Sequence, residues 1–258
     1  MARFTDKAVI VTGGARGIGA MTAERLVAEG GQVLIADTNE TLGAELARRL
    51  GPAARYLKVD VTDPESCRAA INVAVRDFGG LYGLVNSAIR MAPGALKDLS
   101  LADWNAVINV GLNGTFLMSQ AVGRWLIEHD RKGAIVNLSS NGGLSPYSMS
   151  GAYSTTKAAV IMLAKHMGLE WAPKGVRVNV VCPGHTETPL TAYLQDPEIR
   201  RGRSEVTPLK RIAQPIDVAN AILFLLSEEA SYITASALNV DGGLSVSVMN
   251  HLPGRKWE

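Results

Sequence analysis

The sequence predicts an α/β fold: a doubly wound, seven-stranded parallel sheet with helices on both faces, three layers in all. Two observations lead there. Short β-rich runs alternate with longer helical patterns along nearly the whole chain, as repeated strand–helix units do. The runs are continuously apolar rather than alternating, which marks strands covered on both faces. No linker-like shift in composition divides the 258 residues, so one domain is expected, long enough to bury a full core.

The elements follow in order. A-V-I-V-T (8–12) is a buried strand that runs into glycines, and 17–29 carries helical periodicity. Q-V-L-I-A (32–36) is the second strand, followed by a helix to Leu50. R-Y-L-K-V (55–59) is the third. Pro64, suited to a first helical turn, opens a helix through Phe78. L-Y-G-L-V (81–85) is the fourth strand, and 101–129 reads as one long helix. A-I-V-N-L (134–138) is the fifth, before a helix over 151–171 that stops near Pro173. V-R-V-N-V-V (176–181) is the sixth. A helix from about Pro215 to Leu226 precedes A-L-N-V (237–240), the seventh. Crossovers are expected to be right-handed. The pattern breaks at 184–214, which is rich in proline and charge. A stretch that long without regular elements suggests a substrate lid, with a short helix near 189–195. Arg200, Arg201 and Arg203 read as a solvated loop there. A tail runs on from about residue 245.

A composition 47% apolar and 19% charged is that of a globular domain. A net charge of +2 gives no electrostatic case for nucleic acid or an anionic membrane. Cys67 and Cys182 form no C-x-x-C pair, so neither a disulfide framework nor a metal site is expected. The N-terminal M-A-R-F-T-D-K lacks a signal-peptide apolar core, and runs such as A-I-L-F-L-L (221–226) are too short to span a bilayer. A soluble, cytoplasmic protein is expected.

Three motifs carry chemistry. The first strand runs into T-G-G-A-R-G-I-G (12–19). A glycine-rich turn from a strand into a helix lets backbone N–H groups approach a pyrophosphate, although tight turns need glycine for their own sake. Gly13, Gly17 and Gly19 are spaced G-x-x-x-G-x-G. Asp37 ends the second strand. It suits hydrogen bonds to an adenosine ribose diol and would oppose a 2′-phosphate at about 1–4 kcal/mol, favouring NAD over NADP. The alternative for Asp37 is a helix N-cap. Arg16 would help a phosphate or is surface charge. In Y-S-T-T-K (153–157), Tyr153 and Lys157 share a helix face. Tyr153 either packs while Lys157 reaches water, or is an acid–base group tuned by a nearby positive charge.

T-G-x-x-x-G-x-G near the start and Y-x-x-x-K near the middle together resemble the short-chain dehydrogenase/reductase superfamily, over about residues 5–244. Further pieces match in order: Asp60-Val61 after the third strand, N-L-S-S ending the fifth, C-P-G-H-T-E-T-P after the sixth and L-N-V-D-G-G closing the last. The resemblance implies a Rossmann-like fold and an NAD(H)-dependent oxidoreductase that interconverts a secondary alcohol and a ketone. Tyr153 would be the acid/base, Lys157 would lower its pKa and hold the nicotinamide ribose, and Ser140 would hold the substrate oxygen. Gly13, Arg16, Gly17, Ile18, Gly19, Asp37, Asp60, Val61, Asn86, Ala88, Pro183, Gly184, Thr186 and Thr188 would contact the cofactor. Met91, Asn141, Leu144, Tyr147 and His185 are expected at the substrate, His185 having an ordinary loop residue as its alternative. Cyclic alcohols and diols are candidate substrates. A homotetramer is implied, built on helices 101–129 and 151–171, where Ala158, Ala159, Ala164 and Gly168 would permit close packing. Met162 and Met167 fit a packed helix face, and Cys182 the core.

The sequence departs from the family pattern in three places. N-S-A-I (86–89) stands for N-N-A-G, so Ile89 replaces a glycine by the cofactor wall. In I-N-V-G-L-N-G-T-F, Gly111 stands where the family has an Asn that holds a water linking the lysine to solvent. Asn109 and Asn113 are each two residues off, roughly 200° round a helix. Gly111 then either leaves room for an extra water, permits a helix kink, or slows turnover. With slowed turnover, the chain would be a dinucleotide-binding sensor or regulator. T-A-S-A (234–237) stands for T-G-Q-x and is expected to affect only the backbone.

Overall fold

The computed structural model describes residues 2–247. Seven strands form one sheet: β1 (Ala8–Thr12), β2 (Gln32–Asp37), β3 (Ala54–Lys58), β4 (Gly83–Asn86), β5 (Gly133–Leu138), β6 (Val176–Pro183) and β7 (Ala237–Val240). All pairs are parallel, in the order β3-β2-β1-β4-β5-β6-β7. The helices are α1 (Gly17–Ala28), α2 (Glu40–Leu50), α3 (Pro64–Phe78), α4 (Leu101–Ile108), α5 (Gly114–Glu128), α6 (Gly151–Trp171), α7 (Pro197–Val206) and α8 (Pro215–Leu226).

Successive strand residues point to opposite faces, and both faces are covered. Ile10, Leu34, Leu84, Ile135 and Val178 meet Ala70, Met118, Val122 and Met167 of α3, α5 and α6. Val9, Val11, Val33, Val85 and Val136 meet Leu26, Leu46, Ile222 and Leu223 of α1, α2 and α8. This is the three-layer Rossmann-like arrangement the sequence predicts. Strand order reverses between β1 and β4, and a crevice opens beyond the C-terminal ends of the strands at such a switch point.

Several expectations need correction. β3 begins at Ala54, and β4 runs 83–86 rather than 81–85. The long helix is two helices, α4 and α5, joined by a π-helical turn over Asn109–Asn113. The 184–214 stretch is not irregular: a 3₁₀ segment at Pro189–Gln195 leads into α7, which carries the arginines read as loop. Asp196 caps α7, accepting from the N–H groups of Glu198 and Ile199 at 2.8 and 3.2 Å, with Pro197 in its first turn. On α6, Ala164 is buried and Gly168 faces the backbone of Ala235, so both serve this chain's own interior. Met167 is buried but Met162 is exposed, and Cys182 is in the core. The tail beyond residue 247 lies outside the described residues.

Candidate active site

β1 ends in Thr12, whose hydroxyl accepts from Ser87 N–H at 3.1 Å and Ala88 N–H at 3.4 Å. This ties the glycine turn to the turn after β4. Gly13 and Gly17 both have left-handed backbones, φ 61° and 58°, which favour glycine. A Cβ on Gly13 would come within 2.8 Å of Ala88 N. One on Gly19 would lie 2.2 Å from Gly13 O, so that glycine lets α1 press against the turn.

From this turn a cleft of about 760 Å³ runs along the strand ends. It is lined by Gly13, Arg16, Gly17, Ile18, Asp37, Asp60, Val61, Ala88, Met91, Ser140, Tyr153, Lys157, Pro183, Gly184, Thr186 and Thr188. The structure thus gathers sixteen of the anticipated residues from seven separate stretches. Asp37 does not cap α2; Asn39 does. The Asp37 carboxylate accepts from Ala15 N–H at 3.0 Å and Asn39 N–H at 2.9 Å. An ionised carboxylate has about four lone-pair sites, so acceptor capacity is left for a ribose diol.

Ser140 closes β5. Its hydroxyl accepts from Gly142 N–H at 3.0 Å and donates to Asn141 Oδ1 at 3.2 Å. Lys157 is 4% exposed, and its ammonium donates to Leu138 O at 2.6 Å. It lies 5.7 Å from the centroid of the Tyr153 ring. Burial pushes the Tyr153 phenol up to about 12, against the opposing pull of the Ser140 hydroxyl. Burial pulls Lys157 down to about 8, against a smaller raising influence of Cys182. The two groups are thus drawn toward a neutral phenol and a readily deprotonated amine.

Six anticipated residues stand apart from the cleft lining. Gly19 is the packing glycine described above. Asn86 is buried in the sheet, donating to Ser119 Oγ and Asn137 Oδ1, both at 2.8 Å. Asn141 touches Ser140. Leu144 and Tyr147 are exposed. His185 Nε2 lies 2.7 Å from Arg203 Nη1. A guanidinium only donates, so Nε2 accepts and the proton sits on Nδ1, which is buried with no partner among the described residues. Burial, then the Arg203 charge, lowers the His185 pKa to about 4. The lining also includes Thr38, Ser87, Arg90, Val110, Leu190 and Thr191, which sequence reasoning missed. Most adjoin a motif residue and carried no pattern of their own.

Gly111 does not leave room for a water. A Cβ there would lie 2.5 Å from Thr156 Cγ2 and 2.8 Å from Ile89 Cδ1, so side chains already fill that space. The glycine instead sits in the π-helical turn.

The family model described as Enoyl-(Acyl carrier protein) reductase matches residues 13–245. The chain belongs to the short-chain dehydrogenase/reductase superfamily. Within it, this short-chain dehydrogenase/reductase is 40% identical to the 2,5-dichloro-2,5-cyclohexadiene-1,4-diol dehydrogenase LinX of Sphingobium indicum, over 95% of this chain and 99% of the other. It is 39% identical to a 3-alpha-(or 20-beta)-hydroxysteroid dehydrogenase of Mycobacterium bovis, over 93% and 90%. A cyclopentanol dehydrogenase of Comamonas sp. is 37% identical over 96% and 100%. The solved structure of a short-chain type dehydrogenase/reductase from Mycobacterium ulcerans superposes with a TM-score of 0.91 at 31% identity, covering 95% of this chain and 91% of that one.

Proposed function

We propose that the protein is an NAD(H)-dependent dehydrogenase that interconverts a secondary alcohol, cyclic alcohol or diol and the corresponding ketone. The observation that carries this reading is the convergence of Ser140, Tyr153 and Lys157 in the cleft that also holds the glycine turn and Asp37. The relatives named for diol, cyclopentanol and hydroxysteroid oxidation support the substrate class.

The residues present fit a dinucleotide. Gly13 leaves a cradle that a Cβ would close, and Asp37 offers a carboxylate at the place for an adenosine ribose. Asp37 would repel a 2′-phosphate, which favours NAD. When bound, the nicotinamide supplies the hydride-accepting or hydride-donating carbon. Ser140 holds the substrate oxygen. Tyr153 Oη takes the proton from a substrate hydroxyl or gives one to a carbonyl. Lys157, still charged at neutral pH, supplies positive charge beside a phenol that burial raises to about 12, and that charge opposes the rise in the direction acid–base catalysis needs. Thr186 and Thr188, with Pro183 and Gly184, border the cleft on the β6 side. By family resemblance a homotetramer is proposed, with small-molecule substrates as the partners.

A second reading is a dinucleotide sensor with little turnover. It is favoured by the filled space at Gly111, which removes the wet relay. The deciding measurement is NADH formation on a panel of secondary alcohols, cyclic alcohols and vicinal diols. Turnover with NAD that falls roughly a hundred- to ten-thousand-fold in Tyr153→Phe supports the enzyme. Tight NAD binding with no turnover on the whole panel supports the sensor.

A further inference from the structure

The methyl groups that fill the space at Gly111 come from two elements. Ile89 Cδ1 arrives from the turn after β4, and Thr156 Cγ2 from α6. A side chain at 111 would meet both well inside the 3.5–4.0 Å at which carbon atoms pack. Thr156 is fully buried, and its hydroxyl donates to Ala152 O at 2.8 Å, which fixes its rotamer. The next residue is Lys157. Its ammonium has three protons and, among the described residues, one acceptor, the Leu138 carbonyl. Ile89 and Val110 line the same cleft as Lys157. Against the family pattern, bulk has moved from position 111 to position 89.

We propose that Ile89, with the Thr156 methyl, forms an apolar plug over Gly111 that keeps water from Lys157 on the α4–α5 side, leaving the cleft mouth as the route by which the ammonium exchanges its proton. Ile89 is then a positioning residue that acts through the hydration of Lys157. The plug is a matter of packing; only its consequence for catalysis rests on the proposed function.

The groups facing Lys157 leave burial as the dominant influence. Tyr153 lies on the same helix, and Cys182 faces it from β6, with its own thiol pushed up by burial. The end of β5 brings the Leu138 carbonyl and Ser140. The 109–113 turn carries no titratable side chain, and the turn after β4 carries only the exposed Arg90. The lysine's fall to about 8 has the sign that water exclusion gives.

The test labels the full chain with acetic anhydride across a pH series and follows Lys157 by mass spectrometry, with exposed Lys165 as reference. The wild-type midpoint is expected near 8. In Ile89→Ala it rises by about one unit as water gains access, with Ile89→Val between. Gly111→Ala alone should lower Tm by several degrees. Adding Ile89→Val and Thr156→Ser, which removes both opposing methyls, should restore most of that loss. An unchanged midpoint in Ile89→Ala, or a Gly111→Ala protein that melts like wild type, overturns the plug. A midpoint that moves while no alcohol is turned over keeps the plug and rejects the enzyme.

Discussion

Tyr153 and Asp37 are where single groups decide behaviour. The Tyr153 phenol, pushed by burial to about 12, is a poor base near neutrality. Below its pKa the phenolate fraction grows about tenfold per pH unit, so kcat/KM for alcohol oxidation should climb between pH 7 and 10. Carbonyl reduction, which uses the neutral phenol, should not rise over that range. Parallel pH profiles in the two directions check this, and a flat oxidation profile would contradict it. At Asp37, the Asn variant keeps an acceptor for Ala15 N–H while removing the charge. Its preference for NAD over NADP should shrink by about tenfold or more, read as the ratio of the two kcat/KM values. Sequence spacing made both positions legible. It did not foresee that Asp37 would bind two backbone N–H groups and leave the cap to Asn39, because that depends on where the glycine turn folds back.

The elements divide by how local their signals are. The cap of α7 was written in D-P-E at 196–198: an N-cap acid, a proline in the first turn and a second acid. Proline and charge density obscured that local pattern and made 184–214 read as irregular. The π-helical turn at 109–113 was legible only as the kink that Gly111 would permit. α6 and the turn after β4 press against it at Gly111, and periodicity within one segment carries no trace of neighbours distant in sequence. The α7 segment is also held to the turn after β6 by the His185–Arg203 contact, which needs a neutral imidazole. His185 titrates near 4 when folded, against an ordinary 6.5. A lowered folded pKa means this tether is fully present above about pH 6.5 and is lost as pH falls toward 4. Protection of the amides across 185–206, taken relative to their intrinsic exchange rates at each pH, should therefore be lower at pH 5 than at pH 7. His185→Gln should show little of that difference, and an equal pH response in the variant would exclude His185 as its source.

At the scale of the molecule, α5 and α6 carry apolar side chains that nothing among the described residues covers. Phe116 of α5 and Met162 and Leu169 of α6 are 39%, 55% and 73% exposed, beside a groove of about 460 Å³ between these two helices. Large exposed apolar side chains beside a groove are a feature of association surfaces. If the proposed tetramer pairs through it, Leu169→Glu should reduce the mass measured by light scattering to that of a dimer or monomer. An unchanged mass would move the interface elsewhere. Layering and strand order were legible because continuous apolar strands with intervening helices allow few arrangements. The outward face was only partly so: Ala164 and Gly168 had the right residue types for close packing but turn toward the chain's own β-sheet side. Among the described residues, no helix is long and apolar enough to cross a membrane, and no cluster of three or more His, Cys, Asp or Glu is placed for a metal. The exchange of bulk between positions 89 and 111 reaches beyond this one chain. A recombinant joined to a relative of the usual pattern anywhere between those positions inherits either two large side chains or none at the back of its cleft. Gene-shuffling libraries built from such parents should therefore be depleted of active clones with crossovers in that interval, and crossovers outside it should be tolerated.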